Sequence, residues 1–545
     1  MKGYLSLLFS NRILLLLIIL IAFFLRFNLV ASNPPSLTWD EVSWGYNAYS
    51  IGLDGKDEFG KFLPITYLES FGDFKPPLYA YLSVLPVKLF GLNEFSTRFA
   101  SAFFGVLTVL LTFFLTREIL GKKKNALPLI SSLILAISPW HILLSRAAFE
   151  ANVATFFIVL GVYLFFVSLR KNKWLLVLSI FSFVLSMYTF NSARIVAPLL
   201  VLSLFFFKRK ELFQFKKEVL GVLVVNFVLF FPLLLFLLTP QAKLRFAEVN
   251  IFSDASIVRN ANQEIVNDGN SPWSKVLHNR RLAYGVEYLK HYFDNLNPLF
   301  LFINGDGNPK FSIQNVGQLY IWEIPFLVIG ILFLFKKKEG NWWIIPLLLI
   351  IGIIPAGTAR ETPHALRIEA VLPTFQILTA YGLLYGLESI ASKKFKKIIL
   401  SSVIVLVVLN FTYFYHNYFS HYPKEFSGEW QYGYKEAVNY VNQVQAGYDK
   451  IVFTESLGRP YIYTLFYSKY DPVKFRKEAI IEREALGFVH VRKYGKFIFA
   501  KDVTSLVSGG KTLYVDVPEN IPKDTKILKE ISLLNGKPAL VVYSK

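Results

Sequence analysis

Apolar runs of about 20 residues recur along most of this chain, and they constrain its fold more than any other feature. The chain is 54% hydrophobic, contains 53 Phe and has a mean hydropathy of +0.43. A helix of that length crosses the hydrocarbon core of a bilayer, since each residue rises about 1.5 Å. The pattern therefore predicts a polytopic α-helical membrane protein.

The apolar runs divide into about eleven predicted spans. They are predicted at 13–29, 96–115, 127–138, 153–169, 174–190, 195–207, 219–238, 319–335, 342–355, a stretch ending before Lys393, and 398–414. Two long outer loops are predicted between them, at about 32–95 and 239–318. The first loop is too polar to cross a bilayer, and its length favours a function because long loops are uncommon in compact folds.

The basic residues indicate a topology rather than a nucleic-acid partner. The net charge is +20, but Lys and Arg cluster in short segments between apolar runs, at 122–124, 208–210 and 336–338. Such clusters mark the cytoplasmic side. Together with Lys2 and Arg12, they predict a cytoplasmic N-terminus in a multi-pass plasma (inner) membrane protein, with no nucleic acid bound. The absence of Cys excludes disulfides, thiolate metal sites and a Cys nucleophile.

The composition changes after about residue 415, where charges are mixed and apolar residues form short β-like runs. These runs lie at 450–453, 487–491, 496–499, 513–515 and 539–543, after a predicted helix at 434–444. We therefore predict two domains: a transmembrane domain at 1–414 and a small extracytoplasmic α/β domain at 415–545.

An acid pair, Asp40-Glu41, stands between Trp39 and Trp44 in the first outer loop. Acids at the outer ends of spans are candidates for function, because a charge beside a membrane is costly unless its site is wet or paired. The pair could supply a general base beside an aromatic substrate platform. The alternative is two ordinary carboxylates in the first turn of a helix.

Cations at the same membrane face suit a phosphate group. Lys75 precedes two prolines, which hold it in extended backbone, although it could equally be an interfacial anchor. Arg360, His364 and Arg367 form a second basic patch, and a guanidinium can bind phosphate with two hydrogen bonds. Ordinary loop charge is the competing interpretation. The sequence has no HxH or HExxH pair, so it offers little support for zinc.

These residue types together suit one reaction. Cations hold a lipid phosphate-linked group while a carboxylate deprotonates an attacking acceptor hydroxyl. A phosphate leaving group needs little acid assistance once its charge is compensated.

The motifs resemble those of the GT-C glycosyltransferase superfamily, in the branch of protein O-mannosyltransferases and bacterial lipid A aminoarabinose transferases. The resemblance covers roughly residues 13–390. It rests on Trp39-Asp40-Glu41, Lys75-Pro76-Pro77-Leu78-Tyr79, Leu89 to Arg98, Ser145-Arg146 to Glu150, and Pro363-His364 to Pro373.

The resemblance implies an inverting transfer from a polyprenyl-phosphate-linked monosaccharide to a hydroxyl or amine-type acceptor on a lipid, a protein or a wall glycan. It implies that Asp40 is the catalytic residue, that Lys75 contacts the lipid phosphate and that Arg367 is a phosphate-site candidate. No cofactor is certain, and a divalent metal ion is left open. The full predicted site comprises the catalytic candidates Asp40, Glu41 and Glu150; the donor phosphate-binding candidates Lys75, Arg367, His364, Arg146 and Arg194; and the platform residues Trp39, Trp44 and Tyr79.

Three other functions compete with this one. A transporter or lipid flippase would favour charges inside spans or broken helices in paired halves. A non-catalytic scaffold would leave the Asp40 and Lys75 motifs unexplained. A lipid-linked-glycan ligase would move a whole glycan rather than one sugar, and the mass gained by the acceptor separates it from a monosaccharide transferase.

Overall fold

A computed structural model describes residues 11–121, 126–242, 250–484, 489–503, 510–523 and 525–544. The α-helices in these segments are α1 (Asn11–Phe27), α2 (Trp39–Asp54), α3 (Leu78–Phe90), α4 (Glu94–Ile119), α5 (Ala126–Ile137), α6 (Pro139–Arg146), α7 (Glu150–Arg170), α8 (Leu175–Met187), α9 (Ala193–Phe207), α10 (Arg209–Leu212), α11 (Lys216–Leu237), α12 (Ala255–Asn267), α13 (Pro272–Leu277), α14 (Arg280–Asp294), α15 (Glu323–Lys337), α16 (Ile344–Gly357), α17 (Thr374–Ser389), α18 (Lys393–His416), α19 (Tyr422–Glu425), α20 (Tyr434–Val444), α21 (Pro460–Tyr467) and α22 (Pro472–Glu478).

The described strands are β1 (Leu68–Ser70), β2 (Asp73–Lys75), β3 (Lys450–Thr454), β4 (Ile480–Arg483), β5 (Val489–Tyr494), β6 (Phe497–Ala500), β7 (Thr512–Asp516), β8 (Lys526–Ser532) and β9 (Pro538–Ser544). Short 3-10 helices lie at Ile251–Ser253, Glu369–Val371, Gln445–Gly447 and Pro518–Asn520, and π-helical turns at Leu299–Ile303 and Asn417–His421.

The chain packs as two compact units. The first unit comprises Met1–Leu25, Phe104–Leu144 and Glu150–Phe414, and the second comprises Arg26–Phe103, Ser145–Phe149 and Tyr415–Lys545. The second unit therefore joins the predicted first outer loop to the C-terminal region. The division at residue 414 into a membrane domain and an outer domain stays a prediction.

The first unit contains most of the apolar helices. Among the described residues, five helices are long and apolar enough to cross a membrane, and the bent pair α5–α6 makes a sixth if it counts as one span. Shorter apolar helices include α8, α9 and α16. A helical architecture with several apolar helices is confirmed, while the crossing of a membrane and the number of eleven spans stay predictions. The predicted loop at 239–318 contains α12, α13 and α14 in its described part.

The second unit is built on a seven-stranded mixed sheet in the order β4-β5-β6-β3-β7-β9-β8. The central strand β3 pairs in parallel with β6 and β7, and the remaining neighbours are antiparallel. This confirms the predicted C-terminal sheet domain with its preceding helix, α20. Strands β4 and β8 were not predicted, because their exposed edge positions carry charged residues that weaken the apolar signal.

The predicted first loop is folded rather than extended. Thr38 and Glu41 form a capping box at the start of α2, and Gly55 ends that helix with φ +76°. Strands β1 and β2 then form an antiparallel hairpin, in which Leu68 pairs with Lys75. The prediction of extended backbone at Lys75 is confirmed. The segment therefore carries the helix and hairpin that position its acid pair and its lysine.

The C-terminal helices of the second unit pack against this folded segment. The Tyr463 hydroxyl donates to the Leu37 carbonyl at 3.1 Å, just before α2. Arg476 donates to the Ser50 hydroxyl and to the Asp57 carbonyl, both at 3.0 Å. One buried apolar core contains residues from both parts of the sequence. Packing with the C-terminal region thus fixes α2 and the turn that follows it.

Candidate active site

Asp40 and Lys75 form an ion pair within the second unit. Asp40 lies in the first turn of α2, and Lys75 is the last residue of β2. The lysine side chain is only 9% exposed, whereas the aspartate side chain is 50% exposed. The structure therefore brings two predicted site residues together and leaves the carboxylate accessible from outside the fold.

Glu41, the next residue, has a different environment. It is 1% exposed, and Arg98 donates to its two oxygens at 2.8 and 3.2 Å. The backbone N–H groups of Thr38 and Ala148 donate to it at 3.0 and 2.8 Å. Both carboxylate oxygens thus accept hydrogen bonds from the protein. This geometry suits a residue that orders the start of α2 better than a base that must receive a proton from a substrate.

The three predicted platform aromatics also differ in exposure. Trp44 and Tyr79 are buried, with ring centroids 5.6 Å apart, and the Tyr79 hydroxyl donates to the Thr97 carbonyl. Lys75 Nζ lies 5.3 Å from the Trp44 ring centroid, so these rings form the wall behind the lysine. Their faces are not open to a substrate. The prediction of a substrate platform therefore rests on Trp39, which is partly exposed.

Arg146 is fully buried in the second unit. It donates to the Asn33 carbonyl at 2.8 Å and to the Tyr418 hydroxyl at 3.1 Å, and it lies 5.0 Å from the Phe419 ring centroid. These contacts connect the end of α6 to two separate segments. The guanidinium of Arg146 is buried and already contacts these partners, so the structure does not support its predicted role in phosphate binding.

The first unit contains the second predicted basic patch. Asp306 accepts hydrogen bonds from the N–H groups of Ala365 and Asn308 at 2.7 and 2.8 Å, and its Oδ2 lies 3.9 Å from His364 Nδ1. Burial raises the pKa of Asp306 to about 6. Burial and the charge of Arg367 lower the pKa of His364 to about 3. His364 is therefore neutral at pH 7, so it can bind a phosphate through an N–H but not as a cation.

Glu150 and Arg194 also lie in the first unit. Glu150 begins α7, and its charge acts on the buried carboxyl group of Glu369. Arg194 donates to the Met187 carbonyl at 3.3 Å and lies 5.6 Å from the Phe236 ring centroid. These contacts anchor Arg194 to neighbouring helices. The roles of Glu150 and Arg194 at a substrate site stay predictions.

The described residues offer no group of three or more His, Cys, Asp or Glu side chains arranged to hold a metal ion. In the second unit, Asp40 is paired with a lysine. A divalent metal does not fit this set of side chains, and no step of the reaction below is routed through one.

Three residues were not predicted as site residues: Asp306 and Glu58 were not named, and Arg98 was named only as the end of a motif. A lone arginine in an apolar helix was the available signal for Arg98, because such a charge needs a buried partner. For Asp306, the sequence offered only its Asn and Gly neighbours, and these indicate a turn rather than a buried carboxylate. Glu58 is fully buried and accepts a hydrogen bond from the Ser70 hydroxyl at 2.9 Å. Nothing in the local sequence predicts that burial.

Comparison with known proteins agrees with this architecture. The family model for dolichyl-phosphate-mannose-protein mannosyltransferase matches residues 15–248, which include Asp40, Lys75 and Glu150. The structure of ArnT from Cupriavidus metallidurans in the apo state has a TM-score of 0.55 at 13% identity, covering 100% of this chain and 98% of that one. The chain has the GT-C glycosyltransferase fold.

Other matches extend this comparison. The Archaeoglobus fulgidus oligosaccharyltransferase has a TM-score of 0.52 at 13% identity, over 85% of this chain and 64% of that one. An uncharacterized protein of Aquifex aeolicus (strain VF5) is 34% identical over 183 residues, which are 32% of this chain. That match spans 36% of the relative's own length. The family match and the GT-C structures confirm the recognition of a GT-C glycosyltransferase from the sequence motifs.

Proposed function

We propose that this GT-C protein is an inverting membrane glycosyltransferase that moves a monosaccharide from a polyprenyl-phosphate donor to an acceptor hydroxyl or amine at the outer membrane face. The donor class is supported by relatives of the same fold. ArnT from Cupriavidus metallidurans has been solved bound to undecaprenyl phosphate, and the archaeal oligosaccharyltransferase AglB in complex with an inhibitory peptide and a dolichol-phosphate.

The observation that carries the proposal is the ion pair between half-exposed Asp40 and buried Lys75. A general base must be accessible to the acceptor proton, and Asp40 is accessible where Glu41 is not. A phosphate ligand must keep its charge at a defined position. Lys75 does so at the end of a hairpin strand, against the Trp44 ring.

The bond changes are those of a single displacement. Asp40 takes the proton of the acceptor O–H or N–H as that atom bonds to the anomeric carbon of the sugar. The bond between the anomeric carbon and the phosphate oxygen breaks, and its electron pair leaves with the polyprenyl phosphate. The approach from the side opposite the phosphate inverts the anomeric centre. Cations near the phosphate stabilise the charge that develops on the leaving oxygen.

Donor binding also activates Asp40 in this proposal. Without donor, Lys75 is the partner of Asp40, and a carboxylate beside an ammonium is a weaker base. A phosphate that takes over Lys75 weakens this pair and makes the carboxylate more basic when the sugar is in place. Base strength is thereby coupled to occupancy of the donor site.

The remaining predicted residues are assigned to phosphate binding, to catalysis or to positioning in this proposal. Arg367 is the second phosphate ligand and His364 a neutral donor beside it, while Glu150 stays a further catalytic candidate. Glu41 and Arg146 position the backbone on which Asp40 stands, because their polar atoms are committed to the protein. The bilayer, a cytoplasmic N-terminus and an extracytoplasmic C-terminal region complete the proposed arrangement.

A lipid-linked-glycan ligase is the alternative that a specific observation favours. The archaeal oligosaccharyltransferase shares the fold at a similar TM-score. The two functions predict different products from one acceptor, since the acceptor gains one sugar in the first case and a whole glycan in the second. Mass spectrometry of the product therefore decides between them.

The test is transfer of labelled sugar from polyprenyl-phosphate donors by membranes containing the wild type or Asp40→Asn. We expect the variant to be at least ~10²-fold slower, the low end of the contribution of a positioned base. Asp268→Asn is the matched control, because Asp268 is 52% exposed and also pairs with a basic side chain, His278.

Equal rates for the wild type and a folded Asp40→Asn variant would contradict the role of Asp40. A comparable loss in Asp268→Asn would show that the assay reports folding rather than catalysis. If the wild type consumed none of a panel of polyprenyl-phosphate monosaccharides, but used a lipid-linked oligosaccharide, the ligase alternative would replace the proposed function.

A further inference from the structure

A cavity of about 340 Å³ lies in the second unit beside Trp39, the residue before Asp40. Its wall includes residues from the loop after β3, from β5 and from the end of β6. The residues that matter for its chemistry are Trp39, Glu455, Arg459, Glu484, His490 and Lys501. The cavity is therefore formed jointly by the C-terminal sheet and the start of the helix that carries Asp40.

Two acidic residues line the cavity, and both have partners within the protein. Glu455 pairs with Arg492 at 3.2 Å and lies 4.0 Å from His490, and Glu484 lies 2.8 Å from His490 Nε2. Arg459 and Lys501 are different, because neither makes an ion pair with a carboxylate in the part of the chain that the structure describes. These two cations are available to an anionic ligand, because both carboxylates of the wall already have partners.

The aromatic part of the wall is held by close packing. Gly458 has φ +79°, and a Cβ at that position would lie 3.1 Å from the Trp39 ring. Glycine thus lets the backbone turn closely against Trp39 while the ring stays partly exposed. An aromatic face beside a guanidinium and an ammonium suits a sugar ring that carries an anionic substituent, because the ring packs on Trp39 and the substituent pairs with the cations.

One ring connects this cavity to the proposed active site. The Arg459 guanidinium lies 4.3 Å from the Phe71 ring centroid, and Lys75 Nζ lies 5.3 Å from the same centroid. Phe71 is buried at the turn between β1 and β2. The cation of the cavity and the cation paired with Asp40 thus contact one aromatic ring, so the two sites are neighbours in the same unit.

We infer that this cavity is an acceptor subsite for a saccharide bearing a phosphate or carboxylate group. The assignment of this ligand as the acceptor rests on the proposed function, because Trp39 immediately precedes Asp40, the residue proposed as the base. The binding chemistry itself rests only on the cavity. It gives the C-terminal sheet a role in choosing the acceptor rather than in the chemical step.

The test is ligand-observed NMR on the full-length protein in detergent, with glucose 6-phosphate, glucuronate, glucose and inorganic phosphate as probes. We expect glucose 6-phosphate and glucuronate to bind more tightly than glucose or phosphate alone. Lys501→Gln, at an exposed side chain, should weaken both anionic sugars about tenfold. Combining it with Arg459→Gln should weaken them further. Lys526→Gln, at an exposed position of β8, is the matched control and should leave binding unchanged.

The controls separate this inference from the proposed function. Asp40→Asn should retain probe binding while it loses sugar transfer. Probe binding by a wild type that transfers sugar from none of the donors would overturn the proposed function and leave the anionic-saccharide site standing. Equal affinity for glucose and glucose 6-phosphate would overturn the inference, as would unchanged binding in the Arg459/Lys501 double variant. Tighter binding of inorganic phosphate than of either sugar would overturn the saccharide part of it.

Discussion

Two adjacent carboxylates at the start of α2, Asp40 and Glu41, have opposite environments. Asp40 is half exposed and pairs with Lys75, whose charge lies on a compact ammonium. Glu41 is buried and pairs with Arg98, whose planar guanidinium also donates to backbone carbonyls at Val30, Pro34 and Ser36. The first pair is open on the side of its carboxylate, whereas every N–H of the Arg98 guanidinium in the second pair donates to the protein.

The difference shows how two adjacent residues of one short motif come to have different roles. A residue in the first helical turn points either outward or back toward the cap, depending on its position relative to the cap residue. Glu41 is at the capping-box position, so its side chain returns to the Thr38 N–H and meets Arg98. Asp40 is one residue earlier and is directed elsewhere. Local helix geometry thus separates a positioning residue from a candidate base.

Breaking the buried pair should have the largest effect. Arg98→Met leaves Glu41 charged without its guanidinium partner, and loss of one member of a buried pair costs about 3–5 kcal/mol of folding free energy. We expect a clear fall in the thermal midpoint of the purified protein in detergent. Lys75→Met, which disrupts a pair with a half-exposed member, serves as the comparison. A similar midpoint for both variants would contradict the distinction between the two pairs.

A third carboxylate of the same segment, Glu58, extends the comparison with Asp40 and Glu41, because it should make the stability of the protein depend on pH. Burial, followed by the nearby charge of Asp57, raises the pKa of Glu58 to about 8 from 4.5, and hydrogen bonds from Ser70 and Asn47 offset only part of this shift. The unfolded chain therefore releases this proton at lower pH than the folded chain does. Stability is highest below pH 4.5 for this group and falls as pH rises, by roughly 4 kcal/mol at pH 8.

The variant Glu58→Gln should flatten this slope, since its amide does not titrate. The measurement is the thermal midpoint of both proteins between pH 4.5 and 8. The test uses the change with pH and not the absolute midpoint, because the new amide adds its own constant cost. Parallel pH curves for the two proteins would show that Glu58 is ionised at its ordinary pKa.

The smallest stability change is expected for Glu41→Gln. The amide oxygen can still accept a hydrogen bond, and Arg98 keeps its carbonyl partners, so the loss should be about 2 kcal/mol. Activity per folded molecule should stay within about threefold of the wild type, in contrast to the ~10²-fold loss expected for Asp40→Asn. A folded Glu41→Gln variant as inactive as Asp40→Asn would assign the catalytic role to Glu41 as well.

Much of the architecture was readable without a structure. Apolar runs of span length predicted the helical membrane part, since no other backbone arrangement satisfies its hydrogen bonds within one segment in lipid. The β-like runs predicted most strands of the C-terminal sheet. Asp40 and Lys75 were selected by residue type and by family motif, and the structure places them together.

The sequence alone therefore predicted most of the elements and the two candidate groups, Asp40 and Lys75, because periodicity and motif are local properties of the chain. Tertiary structure decided which groups are accessible. Trp44, Tyr79 and Arg146 were predicted site residues like Asp40, yet they are buried. The burial of Arg146, for example, involves Asn33 and Tyr418, which lie 113 and 272 residues away along the chain. Burial is a sum over such distant contacts, and no short stretch of sequence contains it.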